Sequence, residues 1–325
     1  MGAFDCDNVC HLPGSIFWRK EINFSVGTGA SANTTLLFHV HAFLSEHRPK
    51  PTDLTISHLA LIHIVMLVAM GFIGADIFGS QTAWDDIKCK SVFYLNRLTR
   101  GLSICTTCLL SVFQAVTLHL RNSCLAKFKL KSSNHNLRCF LLLWLFNMSI
   151  SSRYLVSTIA TPNVTSDSFL VITESCSLWT LSYFLRYIYF SLATFWDVSL
   201  MGFMAVSSGY MVTVLYRHKR QSQHLHSTNL LMKASPEERA TESILLLMSF
   251  FVVMYFLDCM ITSFSGMLRK SNPALLFAQM LVGNGYATIS PFVLIRTNKR
   301  RIKFLKFIKG EGREMSNYLV IDSFS

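Results

Sequence analysis

The feature that most constrains this chain is a recurring apolar stretch of about 20 residues, the length a helix needs to cross a hydrocarbon core of about 30 Å. Seven such stretches are read at 23–44, 55–78, 92–118, 137–160, 187–216, 244–264 and 273–295. Gly27, Gly29, Ser31, Asn33 and two histidines dilute the first, and Arg97 and Arg100 sit in the first half of the third, so six spans stay open beside seven. Composition points the same way. Of 325 residues 51% are apolar and only 15% charged, against about 25% charged in soluble domains. A water-soluble core of this length could not hide that excess. Disorder is excluded by the same figures, and collagen-like chemistry by 15 Gly and 7 Pro.

A net charge of +12 would suit nucleic acid if it were spread over a polar surface. It is instead gathered in short blocks between the apolar stretches, where basic residues meet the anionic leaflet of a lipid bilayer. Nucleic acid is therefore not an expected partner. If the chain starts outside, the inner segments hold Arg48 and Lys50; Arg121, Lys127, Lys129, Lys131 and Arg138; Arg217, Lys219, Arg220, Lys233 and Arg239; and eight more after Ile295. The outer segments hold only Arg19, Lys20, Lys88, Lys90, Arg269 and Lys270. Basic residues concentrate on the cytoplasmic side. The expectation is an all-α membrane protein, a seven-helix bundle with its N-terminus outside. Residues 1–22 form an extracellular N-terminus, 23–295 the transmembrane domain and 296–325 a cytoplasmic tail. The opening residues have neither the basic nor the apolar region of a signal peptide. Cys6 stands where a myristoylation motif wants Ser or Thr.

Two further signals agree with that orientation. The Asn163-Val164-Thr165 sequon falls in the second outer loop, where a glycan acceptor must be exposed. The sequons at Asn33 and Asn147 lie inside spans and are read as chance. Among nine cysteines, Cys89 precedes the third span and Cys176 lies in the loop before the fifth, both on the oxidising side. A disulfide between them would tie the third helix to that loop and contribute about 2–4 kcal/mol. Cys6 and Cys10 are also outside and could pair with each other. Cys105, Cys108, Cys124, Cys139 and Cys259 are expected free.

Seven spans, the N-terminus outside, and a Cys at the head of the third span with another in the next outer loop resemble a G-protein-coupled receptor. The strings HRPKPTDL (47–54), HLALIHIVML (58–67), SCLAKFK (123–129), TPNVTSDSFLVITESC (161–176), HSTNLLMKASPEERAT (226–241) and ILLLMSFFVVMYFLD (244–258) together look like a vomeronasal type-1 receptor, from the first span to about Lys306. The resemblance implies a chemosensory pheromone receptor in the plasma membrane of a sensory neuron. Its partners would be a small pheromone-like ligand and a heterotrimeric G protein of the inhibitory class, with phospholipase signalling downstream and no cofactor or metal. His119-Leu120-Arg121 stands where the family usually reads Ser-Pro-Arg, and Leu231-Met232 where it reads Ser-Pro. Both departures fall in cytoplasmic loops and bear on coupling rather than fold.

Ionisable groups at membrane depth cost about 2.5–3.5 kcal/mol each on insertion scales, so each needs a partner or a wet cavity. Those in the outer half are Asp76, Arg97, Arg100, Arg153, Arg186 and Asp258, with Asp197 deeper. One reading pairs Arg97 or Arg100 with Asp258 or Asp76 as helix staples. The reading favoured for the set is an outer cavity for small apolar or anionic molecules such as sulfated steroids. Its candidate ligand-binding residues are Asn96, Arg97, Arg100, Arg153, Tyr187, Tyr255 and Asp258, with Tyr183, Phe190 and Trp179 as further aromatic walls. Asn96 lies about two turns below Cys89, where amine-binding receptors place an acid, so a protonated amine would lack its usual counter-ion. His58 and His63 are spaced by five, which is not a helical zinc pair. His63 is expected neutral, hydrogen-bonded to Asn33 or Ser290.

The candidate G-protein-facing residues are Arg121, Lys127, Arg217, Lys219 and Arg239. Ser235-Pro236 reads as a helix start, Pro291 should kink or break the last span, and 298–308 reads as an amphipathic helix on the inner surface. The chain holds no HExxH, GxSxG or GxxxxGK[ST] motif, so an enzyme is not expected, and a last span without Lys excludes a retinal Schiff base. The alternative from another class is a small-molecule membrane transporter, against which stands the lack of similarity between the halves.

Overall fold

Helices that are apolar nearly all round are stable where lipid takes the place of water. The computed structural model describes residues 13–46, 51–77, 84–122, 133–160, 169–171, 175–179, 183–225, 236–267 and 278–295. In chain order these form α1 (Pro13–Glu46), α2 (Pro51–Ile77), α3 (Asp86–Asn122), α4 (Ser133–Ser151), the short α5 (Arg153–Ser157), β1 (Thr158–Ala160), β2 (Phe169–Val171), β3 (Cys176–Trp179), α6 (Tyr183–Leu225) and α7 (Pro236–Met267). Helix α8 covers 278–295. Among the described residues, four stretches are long and apolar enough to cross a bilayer: Thr52–Ile77, Asp86–Val116, Arg138–Ser157 and Phe195–Val214. A shorter apolar stretch, Leu245–Asp258, lies in α7. Phe72 on α2, Leu142 and Leu145 on α4, Phe195, Phe203 and Val206 on α6 and Phe256 on α7 are each more than half exposed. Such a belt would associate in water, whereas hydrocarbon solvates it. The chain is a multi-pass helical membrane protein.

Helix α3 is the axis of the bundle, in contact with α2, α4, α6 and α7. Every residue from Leu102 to Cys108 is buried. The run includes Ser103, Thr106 and Thr107, whose hydroxyls need partners in a medium without water. The partners come from two other helices. His58 Nδ1 lies 3.1 Å from Thr106 Oγ1, His63 Nε2 lies 2.9 Å from Ser103 Oγ, and Tyr286 Oη lies 3.3 Å from Thr107 Oγ1. The other nitrogen of His63 meets Ser290 Oγ at 3.1 Å, so one imidazole joins α2, α3 and α8. Ser290 is thus a partner of His63, as expected, but Asn33 is not. Asn33 donates to the carbonyls of Gly29 and Ala287, both at 2.8 Å, and ties α1 to α8 instead. Helix α8 runs on past Pro291 without a break, and α7 begins at Pro236, where a missing N–H leaves nothing unpaired.

Helices α3 and α4 approach closely because Gly101 faces Asn147; a Cβ there would overlap the Asn147 side chain. Small residues permit such approach between membrane helices. Asn147 itself is buried and donates to the Leu143 carbonyl at 2.7 Å and to Cys105 Sγ at 3.3 Å. Gly101→Leu is therefore expected to destabilise the bundle by about 1–3 kcal/mol, the usual cost of overpacking. The measurement is thermal unfolding in nanodiscs, followed by a thiol-reactive dye that reaches the buried Cys105 and Cys108 only on unfolding.

One expectation is corrected. The fourth span does not stay helical to residue 160. Ser152 turns its hydroxyl back to the Ser149 carbonyl at 2.6 Å, and after α5 the backbone is extended at Thr158 (φ −89°, ψ 133°). Thr158 and Ile159 are β-branched and favour strand, and β3 offers them a partner in the register Thr158↔Leu178, Ile159↔Ser177, Ala160↔Cys176. Strand β2 pairs with the other edge of β3, giving the antiparallel order β1-β3-β2. The bundle is otherwise nearly all helical, as expected, and the three short strands are an addition to it.

Candidate functional site

The sheet sits at the end of the bundle where α3 begins. Cys89, in the first turn of α3, is joined by a disulfide to Cys176 on β3, with Cα atoms 5.8 Å apart. Both are fully buried, in an apolar cluster with Ile73, Ile77 and Phe93. Two carboxylates add anchors. Asp76 accepts from the Ser175 hydroxyl at 2.6 Å and from its backbone N–H at 3.4 Å, and Asp86 accepts from the Ala160 N–H at 2.7 Å. The sheet is thus held against α2 and α3. The expected pairing of Asp76 with Arg97 or Arg100 is corrected, because its carboxylate serves the loop instead.

Arg97 and Arg100 are three residues apart and occupy adjacent parts of one helix face, so they reach different neighbours. The Arg100 guanidinium pairs with Asp258 of α7 through Nη2 and Oδ2. Arg97 Nη2 lies 3.7 Å from Asp197 Oδ2 of α6, and the same oxygen accepts from the Tyr255 hydroxyl at 2.8 Å. Two ion pairs therefore fasten α3 to α7 and α6, and Tyr255 bridges α7 to α6. Arg100 stands eleven residues after Cys89, about 16 Å along the helix. The other predicted ligand residues are less gathered. Asn96 is half-buried on α3, and the half-buried Arg153 lies over the Tyr154 ring, 5.6 Å from its centroid, at cation–π range. Tyr187 lies on α6, but its side chain, like those of Tyr183, Phe190 and Trp179, is outside the described ones.

A narrow cleft opens beside the Arg100–Asp258 pair. Helix α3 lines it with Arg100, Ser103 and Ile104; α7 with Phe251, Met254, Tyr255 and Asp258; α8 with Val282, Gly283 and Tyr286; and α2 with Met66. It has the mix expected of a small-molecule site, mostly apolar and aromatic with a few polar groups. Tyr286 stands edge-on to Phe251 with centroids 4.5 Å apart and to His63 at 5.3 Å, which fixes its ring. Ser103, Gly283 and Tyr286 were not anticipated as lining residues. Only Ser103 left a sequence signal, three residues after Arg100 on the same helix face. Asp197 was noted as ionisable but not as the partner of Arg97 and Tyr255. Tyr255→Phe is expected to remove one hydrogen bond to a charged group and lower stability by about 1.5–3 kcal/mol, read by the same dye assay; an unchanged midpoint would show the bond to be dispensable.

At the other end of the bundle Arg217 is exposed. Arg121, Lys219 and Arg239 lie on helices, with side chains outside the described ones. Asn163, Lys127, Cys6, Cys10, Leu231, Met232 and the expected helix at 298–308 lie outside the described residues.

Residues 18–307 match the vomeronasal organ pheromone receptor family. Vomeronasal type-1 receptor 90 of Rattus norvegicus is 53% identical over 294 residues, covering 90% of this chain and 94% of the relative. Vomeronasal type-1 receptor 92 of Rattus norvegicus is 46% identical over 303 residues, 93% of this chain and 97% of the relative. Vomeronasal type-1 receptor 44 of Mus musculus is 47% identical over 304 residues, with the same two shares, 93% and 97%.

Proposed function

Since the chain belongs to the vomeronasal organ pheromone receptor family, we propose that it is a pheromone receptor of the sensory-neuron plasma membrane, spanning the bilayer seven times with its N-terminus outside. It takes a small, mostly apolar ligand from the extracellular side and activates a heterotrimeric G protein of the inhibitory class. The observation that carries this reading is the cleft beside Arg100 and Asp258, on the side of the bundle that bears the disulfide-tied sheet. A ligand there touches α3, α7 and α8 at once. It can shift the bundle only by binding one arrangement of those helices better than another. At their far ends α3, α6 and α7 carry Arg121, Arg217, Lys219 and Arg239, with Lys127 following α3 in the sequence, a basic rim for the G protein. Of the ligands expected from sequence, the apolar ones are better supported than the anionic. Both guanidiniums of α3 already face acids, and an anion would have to draw Arg100 away from Asp258.

The test is nucleotide exchange on a purified inhibitory-class G protein by the full-length chain in nanodiscs, across a panel of volatile and steroid ligands. Acceleration by at least one ligand, and little on a stimulatory-class protein, is expected. Ligands that bind without accelerating exchange, or that are themselves carried across vesicles containing the chain, would overturn the receptor reading.

A further inference from the structure

Helix α6 continues past the apolar stretch that ends at Val214, and its lipid-facing side continues with it. Phe195 and Val206 mark that side, 71% and 73% exposed. Met204 and Met211, both 0% exposed, mark the opposite one, where Met204 shares the core with Leu110 of α3 and Leu247 of α7. At 3.6 residues per turn, eleven residues come within about 20° of three whole turns. Arg217 stands eleven residues after Val206, and Arg220 eleven after the exposed Gly209. Both arginines therefore extend the lipid-facing side, and both are exposed. Neither makes an ion pair or a side-chain hydrogen bond among the described residues, and α6 holds no Asp or Glu after Asp197. Their depth follows from the same helix. Arg217 and Arg220 lie three and six residues beyond Val214, about 4.5 and 9 Å along the axis. The headgroup layer adds about 5–8 Å to each side of the hydrocarbon core, so Arg217 stands within it and Arg220 at its outer boundary. Tyr216 beside them is 66% exposed, and tyrosine is enriched at that level.

We infer that Arg217 and Arg220 hold the headgroup of an anionic phospholipid that carries a second phosphate beyond the one joined to glycerol, as phosphatidylinositol phosphates do. The inference rests on the receptor reading in one respect, that this end of the bundle meets the cytoplasmic leaflet, which is the anionic one. A guanidinium takes a phosphate in a bidentate fork, and residues three apart on a helix stand about 5–6 Å from each other. The two arginines are staggered in depth, so Arg217 meets the phosphate joined to glycerol and Arg220 meets whatever lies further out. There phosphatidylserine brings an ammonium along with its carboxylate, and phosphatidylglycerol brings a neutral diol. A second phosphate puts negative charge at both depths. The acyl chains lie along the exposed side of α6 above, where Thr213 returns its hydroxyl to the Gly209 carbonyl at 2.9 Å and so offers lipid no unpaired donor. Of the rim residues, Arg217 stands on the side turned to lipid, so a headgroup held there borders the G-protein face without occupying it.

The experiment counts the lipids that the full-length chain retains, by native mass spectrometry of protein released from phosphatidylcholine nanodiscs. The discs carry equal fractions of phosphatidylinositol 4-phosphate, phosphatidylinositol, phosphatidylserine and phosphatidylglycerol. The first is expected to be retained about tenfold better than each of the other three. Arg217→Lys with Arg220→Lys keeps both charges but loses the forks, and should bring that lipid down towards the others; Arg217→Ala with Arg220→Ala should abolish its advantage. Both positions are exposed, so the thermal midpoint in pure phosphatidylcholine discs should not move in either variant. Equal retention of the four lipids would overturn the inference. So would an advantage that survives the lysine pair in full, since it would belong to diffuse positive charge. Soluble inositol 1,4-bisphosphate that displaces the lipid at equal concentration would overturn it too, because the chains would then contribute nothing. The two leaflets of a nanodisc are alike, so this result does not depend on which way the chain lies. A lipid preference without ligand-driven exchange sinks the receptor reading alone, and exchange without the preference sinks this site alone.

Discussion

Arg100→Ala is expected to be among the most damaging single changes in the bundle. It leaves Asp258 buried without its counter-charge, and breaking one side of a buried ion pair costs about 3–5 kcal/mol. The thermal midpoint should fall by on the order of 5 °C or more, measured by exposure of Cys105 and Cys108 to the thiol dye. The loss comes from the orphaned charge more than from the lost attraction, which makes a second variant informative. Arg100→Met with Asp258→Met removes both charges and fills similar volume, so it should recover most of the midpoint. A double variant as unstable as Arg100→Ala alone would show that the damage lies in packing and that the pair does not hold α3 to α7.

Cys89→Ser is the second large effect. The disulfide closes a loop with a sequence separation of 87 residues, and removing such a bridge costs about 2–4 kcal/mol. The consequence is local before it is global. Cys176 is the β3 partner of Ala160, so the strand that anchors both β1 and β2 loses its covalent tie to α3. The remaining anchors at Asp76 and Asp86 are hydrogen bonds, and they should not hold the sheet alone. Surface labelling of expressing cells is expected to drop several-fold, and any receptor that arrives should respond weakly. Normal labelling with a normal response would mean that the carboxylates are sufficient anchors.

How far the site was legible depends on the kind of interaction. That Arg97 and Arg100 need partners followed from their place in an apolar stretch, since a bare charge at that depth is too costly. Which partners they take did not follow. Asp76 and Asp258 were the acids offered, Asp197 was noted only as deeper, and the packing of α3 against α6 and α7 assigned Asp197 to Arg97 and Asp258 to Arg100. His63 shows the same division. Burial made hydrogen bonds obligatory, Ser290 was anticipated, and Ser103 and the diversion of Asn33 to the Ala287 carbonyl emerged with the helix packing. The strand at Thr158 was missed because hydropathy measures transfer to lipid and is blind to a ladder partner supplied from residues 176–178.

The sequence by itself determined that this chain lives in a bilayer, roughly where its apolar helices lie, and which polar residues could not remain alone. Those are properties of transfer free energy, which adds residue by residue along the chain and needs no neighbours to evaluate. The tertiary structure alone decided which acid answers which guanidinium and that the cleft is shared by α2, α3, α7 and α8. Those depend on the rotation and approach of helices joined by long segments of chain, set by interdigitating side chains far apart in sequence, and no local pattern encodes them.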